Sequence, residues 1–281
     1  MHAIRSTRLA LCIIASMLFS TSFSTAYISM PKEPIAHKVA VADCVVLGKI
    51  TAIQAKPMLG QVWRYNELPN AEFTVVEVEV QETFVGPKDA KRARFGLRET
   101  KAYKPAPAVG QIGCFCGVKV GANDFYIVPL DCFFGSDQPR FSQDVDLARR
   151  LGRLMERPKE GLQSKDPDER VLAAHMLILR SMFAPFRYGE TGKAEPINAE
   201  ESKLALLALA EAYWNKHGRE IKESLNWLQW AEKHGAPATK NLPLYQADKD
   251  WPVTARQWLR NNAESYRIHR LFKDNRQADK N

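Results

Sequence analysis

The chain has 281 residues, of which 45% are hydrophobic and 26% charged, and it carries a formal charge of +8. That balance excludes a wholly disordered chain, which has too little apolar surface to offset its ordering entropy. With 15 Gly and 16 Pro, collagen-like and low-complexity classes are excluded too, and the length allows one large or two modest domains.

Residues 1–26 read as a secretory signal. Arg5 and Arg8 precede an apolar run from Leu9 to Phe19, which is too short for a bilayer, where about 20 residues are needed. Ser24 and Ala26 put small residues just before Tyr27, so cleavage is expected near Ala26 and the protein is expected in the periplasm or outside the cell. Cleavage removes two arginines and no acids, taking +8 to +6, and leaves Cys44, Cys114, Cys116 and Cys132 of the five cysteines. An even count in an exported protein predicts disulfides. No later stretch is apolar enough to span a membrane. A charge of +6 suits an anionic envelope polymer without requiring one.

From about residue 40 to 132 the hydrophobic pattern has period 2. One strand starts near Val45 and runs to about Ala55. In the next, Val76, Val78 and Val80 share one face and Glu77 and Glu79 the other, the signature of half-buried antiparallel sheet. Arg94–Arg98 reads as a short strand. Ile112–Val120 and Phe125–Val128 flank Gly121-Ala122-Asn123-Asp124, a hairpin turn in composition. Pro105 and Pro107 place residues 103–107 in a loop.

After Gly135 the period becomes helical. Leu147, Leu151 and Leu154 form one stripe. Asp166-Pro167-Asp168-Glu169 opens a helix through Met182 that is apolar almost all round, the expected centre of this half. Asn198 and Glu201 cap a helix over Leu204–Trp214, and 219–233 and 252–263 complete about five helices. The predicted class is α+β: an antiparallel β domain over 27–136, then an all-α domain over 137–281.

The stretch Ala42-Asp43-Cys44-Val45-Val46-Leu47-Gly48-Lys49-Ile50, the alternating Val76, Val78, Val80 strand closing on Phe84-Val85-Gly86, and the late Phe125-Tyr126-Ile127-Val128 hairpin strand resemble the TIMP-like (netrin-module-like) OB-fold domains. The resemblance covers about residues 38–135 and implies a small OB-like β-barrel with a binding face. The C-terminal half is similar to the helical tail of uncharacterised secreted bacterial proteins and brings no activity with it. Inhibitory members of the metalloproteinase-inhibitor family chelate the protease zinc with an N-terminal Cys. Here the first mature cysteine is Cys44, inside a strand, so that route to inhibition is absent. OB-folds often bind nucleic acid, but export and a charge of only +2 over 27–136 argue against it.

Cys114 and Cys116 share a strand face, and a bridge between them would strain extended backbone. The hairpin returns Cys132 near position 113 or 114. The expected bridges are Cys132–Cys114 and Cys44–Cys116, with 114 and 116 interchangeable. The rival, a four-cysteine zinc site, has poor ligand spacing, and redox catalysis lacks a Cys-x-x-Cys. His37, His175, His217, His234 and His269 show no metal spacing, and His175 reads as a core histidine. Gly-x-Ser-x-Gly, P-loop and Gly-x-Gly-x-x-Gly motifs are missing, so no catalytic, metal or cofactor residue is assigned.

Trp214, Trp227, Trp230, Trp251 and Trp258 crowd the helical half. Beside Ile221, Leu225 and Leu228 they read as core, the alternative being an aromatic platform for glycan or peptide. Glu200, Glu201, Arg219, Glu220, Lys222 and Glu223 read as solvated helix faces. The loop 57–70 carries Trp63, Arg64 and Tyr65 in a polar setting and is the expected ligand contact. The functional expectation is an exported, non-catalytic binding or scaffold protein, its partner a protein or an envelope polymer, with no cofactor and no nucleic acid. The alternatives are an enzyme with a site between the two halves and a protease inhibitor of another mechanism.

Overall fold

A computed structural model describes residues 34–60, 71–98, 107–120, 125–129, 132–183, 192–237, 242–243 and 250–273. The expected signal segment and the Trp63-Arg64-Tyr65 loop lie outside the described residues.

The chain enters through a short helix, α1 (Ile35–Val41), that pattern reading missed. The strands follow: β1 (Cys44–Ile53), β2 (Met58–Gly60), β3 (Ala71–Val85), β4 (Arg92–Arg98), β5 (Ile112–Lys119), β6 (Phe125–Val128) and β7 (Phe133–Gly135). β3 is far longer than the valine alternation that betrays it. Its start pairs with β2, its middle with β4 and its end with β1. Val76 and Val78 are fully buried. On the solvent side Glu77 stands opposite Arg94 and Glu79 opposite Arg92, opposite-charge cross-strand pairs that favour this register.

Pairing runs β1–β3–β4–β6–β5 and returns to β1. All contacts in this circuit are antiparallel except β4 with β6, which are parallel. The purely antiparallel expectation is corrected here, and parity gives the reason: five strands in a circuit cannot alternate direction all the way round, so one pair must run parallel. β7 adds to β5 outside the circuit. Two glycines allow the close approaches. A Cβ on Gly48 would lie 2.4 Å from a Val78 methyl, and one on Gly117 would lie 2.6 Å from Tyr126 Cβ.

Six helices follow: α2 (Phe141–Glu156), α3 (Pro158–Leu162), α4 (Pro167–Met182), α5 (Ala199–Glu211), α6 (Trp214–Lys233) and α7 (Trp251–Asn262). The described residues thus hold seven helices, six of them in the second half, where about five were expected. The second half is also not purely helical, because β8 (Gly192–Pro196) pairs antiparallel with β9 (His269–Lys273). That ribbon joins segments more than seventy positions apart, so no local period announces it. No helix among the described residues is long and apolar enough to cross a membrane.

Capping follows the sequence in two places. Asp166 accepts the Asp168 amide at 2.9 Å, with Pro167 in the first turn, and Asn198 accepts the amides of Glu200 and Glu201. Glu169 does not close a capping box. It binds the Ser164 hydroxyl at 2.7 Å and pairs with Arg153. α4 is central as expected, and it divides its apolar surface. Met176 and Leu179 join a core with the sheet, α1 and α2, while Val171, Ala174 and Ile178 join a second core with α5, α6 and α7. The first core therefore crosses residue 136, with Val145, Ala148 and Leu151 of α2 packed among strand residues.

Candidate functional site

The densest collection of chemically reactive side chains lies where α1 is packed against β5, α2 and α4. Arg180 of α4 fixes the end of α1. Its guanidinium donates to the carbonyls of Ala40 (3.0 Å) and Ala42 (2.8 Å) and reaches Asp43 Oδ1 at 3.3 Å. A cation on the last carbonyls of a helix is stabilising, because those groups have no partner within the helix. Asp43 also accepts the Lys119 amide at 3.0 Å, tying the same corner to β5.

Under α1 lie the cysteines. Alternation along β5 sends Phe115 inward, stacked on Phe95 at 5.0 Å and tilted against Phe133 at 4.9 Å, and turns Cys114 and Cys116 the other way. Cys44, Cys114, Cys116 and Cys132 are all buried thiols in this structure. The Cys116 thiol is raised well above its ordinary range, first by its hydrogen bond with Cys114 and then by burial, with Lys38 opposing the shift. Lys38, on α1, is only 1% exposed. The Cys116 amide donates to the Cys132 carbonyl at 3.0 Å, so Cys132 lies across from Cys116 and not at position 113 or 114. Cys44 stands opposite Gly117, on the Phe115 side of the strand. Sequence period placed Cys114 and Cys116 on one face; the hairpin register that positions Cys132 depends on turn geometry that composition alone did not define.

Beside the cysteines a polar network joins α1, α4 and α6. His37 Nε2 bonds Glu223 Oε1. The second oxygen of Glu223 lies 3.6 Å from His175 Nε2, and His175 Nδ1 is 3.0 Å from the Ser224 hydroxyl. Phe183 and Trp227 pack edge-on around His37. Burial holds the His175 pKa down to about 4, despite the opposing pull of Glu223. Glu223 is half-buried. Burial alone would raise its pKa, but the hydrogen bond from His37 and the nearby charges of His37, His175 and Arg219 bring it below the ordinary carboxylate value. His175 is thus a core histidine, as its apolar helix implied. Glu223 is not the solvated helix residue that its charged neighbours suggested. No sequence signal exposes the His37–Glu223 pair, whose members are 186 positions apart.

The tryptophans divide by depth. Trp251 and Trp258 are buried, whereas Trp214, Trp227 and Trp230 are half-buried and packed on the cores, Trp227 touching both. A pocket of about 210 Å³ opens between α2, α3 and the start of α4, lined by Arg153, Arg157, Glu160, Ser164 and Glu169. Its charges are mutually satisfied: Arg153 pairs with Glu169, and Arg157 lies 3.6 Å from Glu160. Along the same helix Arg149 pairs with Glu82 at 2.8 Å and Arg150 with Asp166 at 3.5 Å, so these α2 arginines face carboxylates rather than open solvent alone. Among the described residues no three of His, Cys, Asp and Glu are placed to hold a metal ion. No known protein family and no curated protein matches the chain.

Proposed function

We propose that this is an exported, non-catalytic binding or scaffold protein of the periplasm or cell envelope, built on an OB-like barrel of the TIMP-like kind and contacting its partner through residues 61–70, the part of the expected 57–70 loop that follows strand β2. The five-strand circuit with a single parallel pair supports the barrel reading, since each of its five strands is paired on both sides, with only the short β2 and β7 added outside it. The observation that carries the binding reading is the anchorage of that loop. Gly60 and Ala71 are register partners, so residues 61–70 join two paired strands. At their base, Phe73, Val75, Phe125 and Ile127 form a separate apolar cluster with Met58 and Val120. A contact loop rooted in a packed cluster on a rigid sheet is how binding surfaces are commonly built. The Trp63, Arg64 and Tyr65 side chains supply aromatic and cationic groups enriched at binding hot spots.

The test is photo-crosslinking in cells. A photoreactive residue is placed at Trp63, and at the exposed Val253 of α7 as the control. The expected outcome is a discrete crosslinked species from position 63 alone, recovered from the envelope fraction. Equal labelling from both positions, or none from position 63, defeats the proposal.

A further inference from the structure

Strand β5 sets two soft donors side by side. Cys114 and Cys116 lie two positions apart, on the face turned away from Phe115. Both are fully buried, and their thiols are in hydrogen-bond contact. Cross-strand partners share a face, so Val45 and Leu47 of β1 and Phe134 of β7 make the flanks of the pair apolar. A cation reaches the same place: Lys38 of α1 is 1% exposed, and its charge acts on the Cys116 thiol. We propose that Cys114 and Cys116 form a two-coordinate site for a soft monovalent cation, Cu(I), whose anionic bis-thiolate complex is balanced by the buried Lys38.

Donor chemistry selects the metal. Soft thiolates suit Cu(I) and zinc. Zinc takes four protein ligands in structural sites and three in catalytic ones, and among the described residues no three of His, Cys, Asp and Glu are placed to hold a metal ion. Cu(I) is satisfied by two sulfurs in line. Such a unit spans twice a metal–sulfur bond of about 2.3 Å, close to the separation of two sulfurs in hydrogen-bond contact, so little movement is needed. Two RSH and one Cu(I) give one Cu(SR)2 anion and two protons, with no change of oxidation state. The anion alone would be costly among apolar walls. Lys38 supplies the opposite charge where the low dielectric strengthens the attraction. The same balance gives a reason for burying an amine in α1, whose apolar anchorage comes from Ile35, Val39 and Val41. The competing fate, a Cys114–Cys116 disulfide, strains extended backbone.

Burial governs how fast the metal enters, not the equilibrium. Entry requires local opening of α1, which Arg180 holds through the Ala40 and Ala42 carbonyls and Glu223 through His37. The site does not depend on where the protein resides or on the binding loop.

The test uses the full chain, reduced and refolded from urea without oxygen in the presence of Cu(I) bicinchoninate, so that burial does not limit loading. One copper per chain should pass from the chelator to the folded protein, releasing two protons and raising a thiolate-to-copper ultraviolet band. Cys114→Ser and Cys116→Ser should each abolish the transfer, and Cys44→Ser should leave it intact. Lys38→Met should weaken binding by about tenfold or more. It keeps both thiols, so it reads the site independently if a serine variant fails to fold. No transfer to the wild-type chain overturns the proposal. So does transfer that survives loss of either cysteine, undiminished affinity in Lys38→Met, or a Cys116–Cys132 disulfide in the protein as purified, which would occupy one donor.

Discussion

Two histidine–carboxylate clusters sit on the same pair of helices. In one, His217 Nε2 of α6 is 2.8 Å from Asp168 Oδ1 of α4, and Lys216 binds the other oxygen. In the other, His175 of α4 meets Ser224 and Glu223 of α6. Asp168–His217 and His175–Ser224 are both 49 positions apart, so α4 and α6 run in the same direction with one constant offset. The two contacts lie seven residues, about two turns, apart. The residue types are nearly the same and the surroundings differ. Asp168 lies at the first turn of α4, and its pKa is lowered first by the hydrogen bond from Lys216 and then by that from His217. His175 is shifted first by burial. Pairing dominates at the surface and desolvation dominates inside.

The largest expected effect comes from the buried member. An unfolded histidine titrates near 6.5, whereas His175 in the folded protein titrates near 4. Its neutral ring therefore stabilises the fold fully above pH 6.5, and that stability is lost as pH falls towards 4. The loss amounts to at most on the order of 3 kcal/mol. Urea denaturation from pH 7 to 4 should show the decline, and His175→Gln should flatten it. A second break removes the shared acceptor. Glu223→Ala leaves two half-covered or buried histidines without it and should lower stability at pH 7 by about 2 kcal/mol, read from the urea midpoint at constant slope. Ser224→Ala leaves the inner nitrogen of His175 without its partner and should cost about 1 kcal/mol, measured in the same way. Asp168→Asn should have the smallest effect and should be masked by added salt, because its main partner, Lys216, is exposed and Asp168 itself is partly open to solvent. If Asp168→Asn moved the midpoint as far as Glu223→Ala, the contrast between the clusters would be wrong.

The same contrast explains how much of the site could be read in advance. His175 lies in a run of apolar residues from Val171 to Leu179, so its burial was visible. Glu223 lies among Arg219, Glu220 and Lys222, a pattern that reads as solvent-facing. Its partner His37 comes from α1, a helix of seven residues remote in sequence. Cys114 and Cys116 were visibly on one face because strand alternation is rigid. The position of Cys132 was not, because one residue of register in a turn moves every partner.

What this sequence determined by itself is local. Alternation over Val76–Val80 made a strand, Asp166 and Asn198 began helices, and the all-round apolar pattern of α4 made it the centre of the helical half. These features depend on residues a few positions apart, whose geometry is imposed by backbone dihedrals and nearby hydrogen bonds. Tertiary structure alone decided the parallel β4–β6 pair, the β8–β9 ribbon, the division of α4 between two cores and the meeting of His37 with Glu223. Each of these joins segments through the packing of whole elements, where burial and strand parity select the partner and no sequence period records the choice.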